Sequence, residues 1–389
     1  MKDLHILIIG AGIGGLTTAL ALQRAGYRVS VYEAAPELGE LGAGLTVASN
    51  GSMVLQHLGL GSVLDASACK PDVGAVHHYR DGRTLVDVPH GEQTIRKFGA
   101  PYCQIHRADL HNGLIDAVRA NDPDCIHLDH TFTDLSESGS EITAHFTDRT
   151  AVTGDLLIGC DGIHSAVRAR LFGEDHPRFT GYTAWRGVIP IDDLPAGLID
   201  PDTAVFVGPG HFFTRYKIRA GELLNYVATA RTDAWAEEGW SVRSTVDAVQ
   251  KEFAEFASHV QTILAATPPD ECYRWGIFER RPLPDWSVGR ATLLGDAAHP
   301  ISPFLGQGAV MALEDAMIVA RCLNAAHSIG EALERYESAR KERIDFVYIE
   351  SQKAGENLTT FNPDAYTPAS HKNEETLGLA GYNAVTVAI

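Results

Sequence analysis

Leu4 to Ile9 is an apolar run interrupted only by His5, and a cluster of glycines follows it directly. A short apolar run bounded by turn residues predicts a buried strand. From about Gly14 to Ala25 the apolar positions recur at helical spacing, and Gly26 ends that pattern. Arg28 to Tyr32 alternates, which predicts a second strand. Further on, Ser52–Asp65 reads as a helix, and Val76–Val88 as two strands around an Asp81-Gly82 hairpin turn. Arg107-Ala108-Asp109 leads into another helix. Ile126–Thr150 alternates, with turns near Ser136–Ser140 and Thr147–Thr150, as an antiparallel excursion would. Leu156–Cys160 is a buried strand that runs into CDGIHSAVRARLFG (Cys160–Gly173).

The pattern then changes. From about Thr180 to Thr232, strands follow one another without helices. Ser244–Ala266 reads as one long amphipathic helix, Trp275–Leu294 as strands, and Val310–Leu323 and Ile329–Ile349 as helices. This order predicts an α/β (α+β) fold of two domains. Residues 1–75, 100–178 and 275–350 would form a discontinuous Rossmann-like cofactor domain with a parallel sheet. Residues 76–99 and 179–274 would form an antiparallel-sheet substrate domain, and 351–389 a helical tail. A pocket between domains is the default expectation.

Length agrees with two domains, since 389 residues exceed one typical core. A net charge of -18 argues against nucleic acid or an anionic membrane surface as partner. Leu4–Leu22 is uncharged and long enough to imitate a membrane span. Its glycines and its half-length amphipathic helix fit a buried βα unit better, and no signal-peptide pattern precedes it. The six cysteines form no C-x-x-C pair, which suggests buried thiols in a reducing, cytoplasmic setting. His77 and His78 are adjacent, but nothing near them completes a metal site.

The chemistry starts at the first turn. Gly10, Gly12 and Gly15 make G-x-G-x-x-G between a strand and a helix. The first glycine serves the sharp turn, the second the approach of a pyrophosphate, and the third close helix–sheet packing. The helix N-terminus then faces the phosphates. Glu33 ends the second strand, where an acid accepts hydrogen bonds from ribose hydroxyls. Two later turns match this one in kind. Asp161-Gly162 follows a strand and precedes a helix containing Arg168; alone it reads as an ordinary capping aspartate. Gly295-Asp296 follows the strand ATLLG. An acid at a strand end in the cofactor crevice suits polyol hydroxyls, which FAD has and NAD lacks. Pro300, Pro303, Gly306 and Gly308 then make a stiff loop of bare amides able to face a flavin edge.

These stretches resemble the single-component flavin aromatic hydroxylases of the para-hydroxybenzoate hydroxylase fold, most of all the salicylate, 3-hydroxybenzoate and 6-hydroxynicotinate hydroxylases. The resemblance rests on GAGIGG with Glu33, ELGAGL (Glu40–Leu45), HRADL (His106–Leu110), CDGIHSAVR, LLGDAAHPISPFLGQGAVMALEDA and the closing GLAGYNAVTVAI. It implies that FAD is the cofactor and that NADH or NADPH reduces it. Oxygen would then add at the flavin C4a, and the hydroperoxide would pass OH to an electron-rich ring, in some relatives with loss of a carboxylate. By the same resemblance Glu33 binds the adenosine ribose, Arg107 helps hold FAD, Asp161 lies near the pyrophosphate, and Asp296 binds the ribityl chain. The expected partner is a small aromatic substrate, and the chain is expected to be a monomer or homodimer.

A base near a phenol would make the ring more nucleophilic. On the strand GPGHFFTRYK, His211 matches a position where some relatives carry a catalytic histidine; a solvent-facing strand end is the equally weighted alternative. Where those relatives carry a tyrosine four positions later, this chain has Arg215, followed by Tyr216, and with His211 these two are the catalytic candidates. Arg215 suits a substrate carboxylate, and alternation puts it on the same face as His211, with Tyr216 on the other. Thr46 and Phe304 stand where relatives often have histidine, which points to a different ring with fewer polar contacts. Trp185 and Arg186 are further pocket candidates, Trp185 with core filling as its plainer role, and His299 reads as a residue that shapes the flavin loop. Two rival readings share these motifs: a flavin oxidoreductase that does not hydroxylate, and an FAD-fold binding protein without chemistry.

Overall fold

The structure is a computed structural model that describes residues 3–39, 44–233, 235 and 242–389. Residues 40–43 of the ELGAGL stretch lie outside the described residues.

Strand β1 (His5–Ile9), helix α1 (Ile13–Arg24) and β2 (Arg28–Tyr32) open the chain. After β3 (Gly44–Val47), the single helix expected over Ser52–Asp65 is two, α2 (Ser49–His57) and α3 (Gly61–Ser67), because Leu58–Leu60 turn the chain. Then come β4 (Val73–His78), β5 (Thr84–Pro89), α4 (Glu92–Phe98), β6 (Cys103–His106) and α5 (Arg107–Asn121). Short β7 (Ile126–His127) precedes β8 (Phe132–Ser138), β9 (Glu141–Phe146) and β10 (Ala151–Gly154), which pair as an antiparallel trio. Strand β11 (Leu156–Gly159) leads into α6 (Ala166–Phe172).

Next are β12 (Arg178–Pro190), β13 (Thr203–Gly208), β14 (His211–Ile218), β15 (Leu223–Arg231) and β16 (Val242–Arg243). The long helix expected over Ser244–Ala266 is also two, α7 (Val246–Glu252) and α8 (Ser258–Ala265). At the break the Ala257 amide donates to the distant Tyr79 carbonyl, not to its own helix, and the chain is extended there. Strands β17 (Tyr273–Glu279), β18 (Ser287–Val288) and β19 (Ala291–Leu293) are followed by α9 (Gly308–Ala325) and the 30-residue α10 (Ile329–Leu358). The tail expected to be helical is so only to Leu358; beyond it the chain makes turns and one 3-10 turn at Pro363–Ala365. Pro363 and Pro368 deny it a helix.

Two large sheets organise these elements. The first runs β18-β19-β11-β1-β2-β7, parallel except at the β18 edge. β1 is at its centre, which is why Ile6, Leu7 and Ile8 are wholly buried and the run carries no alternation. The second runs β16-β17-β12-β15-β14-β13-β4-β5 and is antiparallel except where β13 pairs with β4. Helices α7 and α8 cover one of its faces, in a core with Trp185, Phe213, Tyr226 and Phe253. The other face meets the first domain. Among the described residues no helix is long and apolar enough to cross a membrane, and no three His, Cys, Asp or Glu side chains converge as a metal site. All six cysteines are free.

Helices α9 and α10 are joined by a buried ion cluster. Arg340 is fully buried, with Nη1 2.7 Å from Glu314 and Nε 2.7 Å from Asp315. Arg343 adds a second pair of bonds to Glu314 at 2.7 and 2.8 Å, and Asn50 of α2 donates to the same carboxylate at 2.8 Å. Tyr382 of the tail lies under Arg343 at 3.9 Å. Removing one member of such a pair leaves an unpaired buried charge. Arg340→Met is expected to cost about 3–5 kcal/mol of stability in urea unfolding. Arg343→Met, whose partner keeps Arg340, should cost clearly less; equal costs would contradict this hierarchy.

Candidate active site

The first turn separates glycines the protein needs from one it leaves free. At Gly10, φ is +101°, and a methyl group there would strike the Cys160 carbonyl. A methyl at Gly15 would strike the Gly10 carbonyl oxygen. At Gly12, by contrast, nothing lies within 4 Å of such a methyl. Local packing therefore explains two glycines, while the third borders open space. That space faces the start of α1, where no side chain caps the amides and no acid sits in the first turn. Glu33 is anchored beside it, accepting from the Ala11 amide at 2.7 Å and the Ala35 amide at 3.0 Å.

Asp161 lies beside the first turn, its Cα 3.1 Å from where a methyl on Gly10 would sit. Its Oδ1 accepts from the Ser165 hydroxyl at 2.5 Å and its Oδ2 from the Val167 amide at 3.1 Å. Both oxygens accept from the start of α6, whose N-cap is Ser165. Burial pushes its carboxyl pKa up, and these bonds oppose that. Arg168 was not singled out for a role, yet it ties two motifs together. It pairs with Asp175 through Nε at 3.2 Å and Nη2 at 2.9 Å, and Nη1 donates to the Ala298 carbonyl at 2.9 Å.

Asp296 opens onto the cleft and accepts no hydrogen bond from any described residue. The surrounding protein still desolvates it and pushes its carboxyl up, while His299 and Arg107 pull it down. Its turn is held from behind: Asp315 accepts from His299 at 2.7 Å and from the Gly295 amide at 3.2 Å. His299 thus supports the loop, with Trp286 against its ring. Asp315 stays low because His299 and Arg340 outweigh its burial. Arg107, exposed at the start of α5, adds positive charge near Asp296. Pro303 starts a 3-10 turn, Gly306 closes it at φ +64°, and Gly308 opens α9 with free space beside it. Open phosphate space, an anchored ribose acid, an unpartnered carboxylate for polyol hydroxyls and a row of loop amides together fit FAD.

Opposite this loop lies the uncovered face of the second sheet. On β14 alternation sends His211, Phe213 and Arg215 one way and Phe212, Thr214 and Tyr216 the other. His211 and Arg215 do share a face, but it is the face covered by α7 and α8. His211 bonds Glu252 at 2.8 Å and the Pro209 carbonyl at 2.8 Å, with its ring edge on Phe253. Arg215 is buried and donates to the carbonyls of Pro201 and Asp200; burial lowers its pKa to about 10. Trp185 lies on that same face, its indole donating to Ser244 at 3.0 Å. The structure therefore brings none of these three to the flavin loop. It brings Phe212 to the loop, against Phe304, and puts Tyr216, the third candidate on this strand, on the same face as Phe212.

Phe304 packs against Tyr182 at 4.9 Å and Phe212 at 6.0 Å between ring centres. Thr46, on β3, stands beside Gly306 and pairs in register with Gln104 of β6. Tyr216 packs so close to Gly44 that a methyl there would meet its ring at 2.5 Å. Burial keeps the Tyr216 phenol well above its ordinary pKa.

Between these walls the sheet has a trench. Tyr273, Arg186, Val227, Thr214 and Val205 lie in register across five strands, and each keeps part of its surface accessible. The adjacent row, Trp275, Ala184, Thr229, Phe212 and Val207, is buried throughout. On the other side Asn225, Tyr216 and Thr203 are buried as well. Three buried polar atoms facing this region, Thr229 Oγ1, Asn225 Nδ2 and Gln104 Oε1, have no hydrogen-bond partner among the described residues. Sequence reasoning missed Phe212, Asn225 and Gln104. Only the last had a signal, its alternation with His106 on the strand before HRADL.

Comparison with known proteins agrees with this geometry. The family profile described as FAD binding domain matches residues 3–349. The chain is 36% identical over 352 residues to a 3-amino-4-hydroxybenzoate 2-monooxygenase of Streptomyces platensis, covering 90% of this chain and 87% of that one. It is 35% identical to 6-hydroxynicotinate 3-monooxygenase of Pseudomonas fluorescens, covering 88% and 89%. Among solved structures, Klebsiella pneumoniae HpxO complexed with FAD and uric acid superposes with a TM-score of 0.87 at 28% identity, covering 97% and 96%. If the trench face is the reacting face, Tyr216→Phe should lower the rate of ring hydroxylation roughly 10–100-fold, the worth of one charged hydrogen bond. His211→Ala should leave that rate within about twofold, since a surface pair contributes little. The reverse ranking in steady-state product formation would place chemistry on the helix-covered face.

Proposed function

From the premise that this chain belongs to the FAD-binding family of aromatic-ring monooxygenases, we propose that it hydroxylates a phenolic or hydroxylated heteroaromatic acid, with NADH or NADPH as reductant and O2 as co-substrate. The observation that carries this reading is the partly accessible row of Arg186, Val227 and Thr214, beside the cluster on which Phe304 of the Pro303–Gly308 loop packs with Val227. A flat ring suits such a slot, since its faces meet Val227 and Phe304 and its edge substituents meet the polar atoms.

The turn of Gly10, Gly12 and Gly15, with Glu33, holds the adenosine and pyrophosphate end of FAD; Arg107 and Asp296 hold the middle; Pro303, Gly306 and Gly308 face the ring system. Bound there, FAD would supply the redox chemistry, electron transfer from the nicotinamide and oxygen transfer to the ring. The protein's own part is placement, shielding and charge. Phe212, Phe304 and Tyr182 exclude water from the reacting face. Tyr216, kept protonated by burial, donates a hydrogen bond to the substrate's ring oxygen and stabilises it as a phenolate, the more nucleophilic form. Thr46 and Gln104 close the polar side.

The test is oxidation of NADH and NADPH by flavin-loaded protein under 18O2, with hydroxylated benzoates, nicotinates and picolinates as candidates. At least one acid should speed oxidation and yield a product with one 18O, its carboxylate kept or replaced by hydroxyl. Faster oxidation that yields only peroxide with every acid would contradict hydroxylation.

A further inference from the structure

Arg186 is an exception among the enclosed arginines. Arg168, Arg215, Arg280 and Arg340 are buried, and each donates to a carboxylate or to backbone carbonyls. Arg186 is half-buried, yet no carboxylate, carbonyl or hydroxyl accepts from it among the described residues. Its guanidinium rests only on aromatic rings, 5.4 Å from Tyr273 and 5.6 Å from Trp275. Burial lowers its pKa, and the positive charge of Arg107 adds to that; Glu271 pulls the other way from beyond hydrogen-bonding range. An arginine does not give up its proton in a protein, so it stays charged here. A desolvated, unpaired cation is costly unless an anion completes it.

Its position says which anion. Arg186 lies at one end of the trench, in register with Val227 and Thr214. Tyr216 lies on the same face of β14, two residues past Thr214. From β12 to β14 is two strand spacings, roughly 10 Å between backbones. That span suits one ring bearing an anionic group at one edge and a hydroxyl toward the other. Stacking on Tyr273 and Trp275 fixes the plane of the guanidinium, which pre-organises its fork for two parallel bonds to two oxygens.

We propose that Arg186 is the receptor for the substrate's carboxylate and so selects aromatic acids over neutral phenols. This rests on the hydroxylase reading above. A dinucleotide phosphate offers similar oxygens, so the test must separate the two sources. Flavin-loaded wild-type, Arg186→Gln and Arg186→Lys proteins are compared for the Kd of the preferred acid, read as perturbation of the flavin spectrum. The same titration uses that ring lacking its carboxylate, and the KM for NADH and NADPH is measured alongside. In R186Q the acid should bind roughly 10–100-fold more weakly, the worth of charged hydrogen bonds, while the neutral ring binds as it does to wild type. R186K should recover part of the loss, since it keeps the charge and loses the fork. Equal weakening of acid and neutral ring would show a merely structural role and overturn the proposal. A rise confined to the KM of the nicotinamide would assign the site to a phosphate and overturn it too. Wild-type protein that hydroxylates neutral phenols and ignores acids would overturn this proposal alone; protein that hydroxylates no ring would overturn the hydroxylase reading with it.

Discussion

The pairing of Arg340 with Glu314 and Asp315 is the constraint on which the site depends. It is buried between α9 and α10, and each carboxylate also accepts from further partners. Glu314 accepts from Asn50 and Arg343; Asp315 accepts from His299 and the Gly295 amide. The turn that carries Asp296 is therefore clamped from behind by an ion pair it does not itself contain. Arg168 clamps the same turn from the other side through the Ala298 carbonyl. Two buried arginines thus fix the geometry of one open carboxylate, which leaves Asp296 unpartnered and free for a ligand.

The second domain contributes a surface with two unlike sides. Helices α7 and α8 seal one side with aromatic residues. The other meets the flavin loop and leaves a row of positions uncovered. Val227 and Thr214 in that row keep part of their surface accessible, while the rows on either side are buried. The polar atoms left unpaired at its margin and the unpaired guanidinium at its end are the electrostatic counterpart of that gap.

Much of the cofactor side was legible in the sequence because its requirements are local. Gly10 and Gly15 are dictated by carbonyls a few residues away or on the neighbouring strand, and Glu33 by the end of a strand that alternation already marks. The substrate side was not legible to the same degree. Alternation told correctly that His211 and Arg215 share a face, but not which face, because that depends on where α7 and α8 fold back. The break between those helices hangs on one bond from Ala257 to Tyr79, nearly 180 residues apart in the chain. The bond that holds the aspartate of CDG is local by comparison: Ser165, four residues on, donates to one of its oxygens.

The central claim is that the aromatic acid lies on Val227 and Thr214, between Arg186 and Tyr216. Filling the trench tests it most directly. Val227→Trp would put a large side chain into that space, on a strand whose backbone pairing needs no change. Titrating the flavin-loaded variant with the preferred acid, and following the flavin spectrum, should show full flavin content and no acid binding at concentrations that saturate the wild-type protein. Unchanged acid binding with the tryptophan in place would mean that the ring binds elsewhere, and the account of the trench would be wrong.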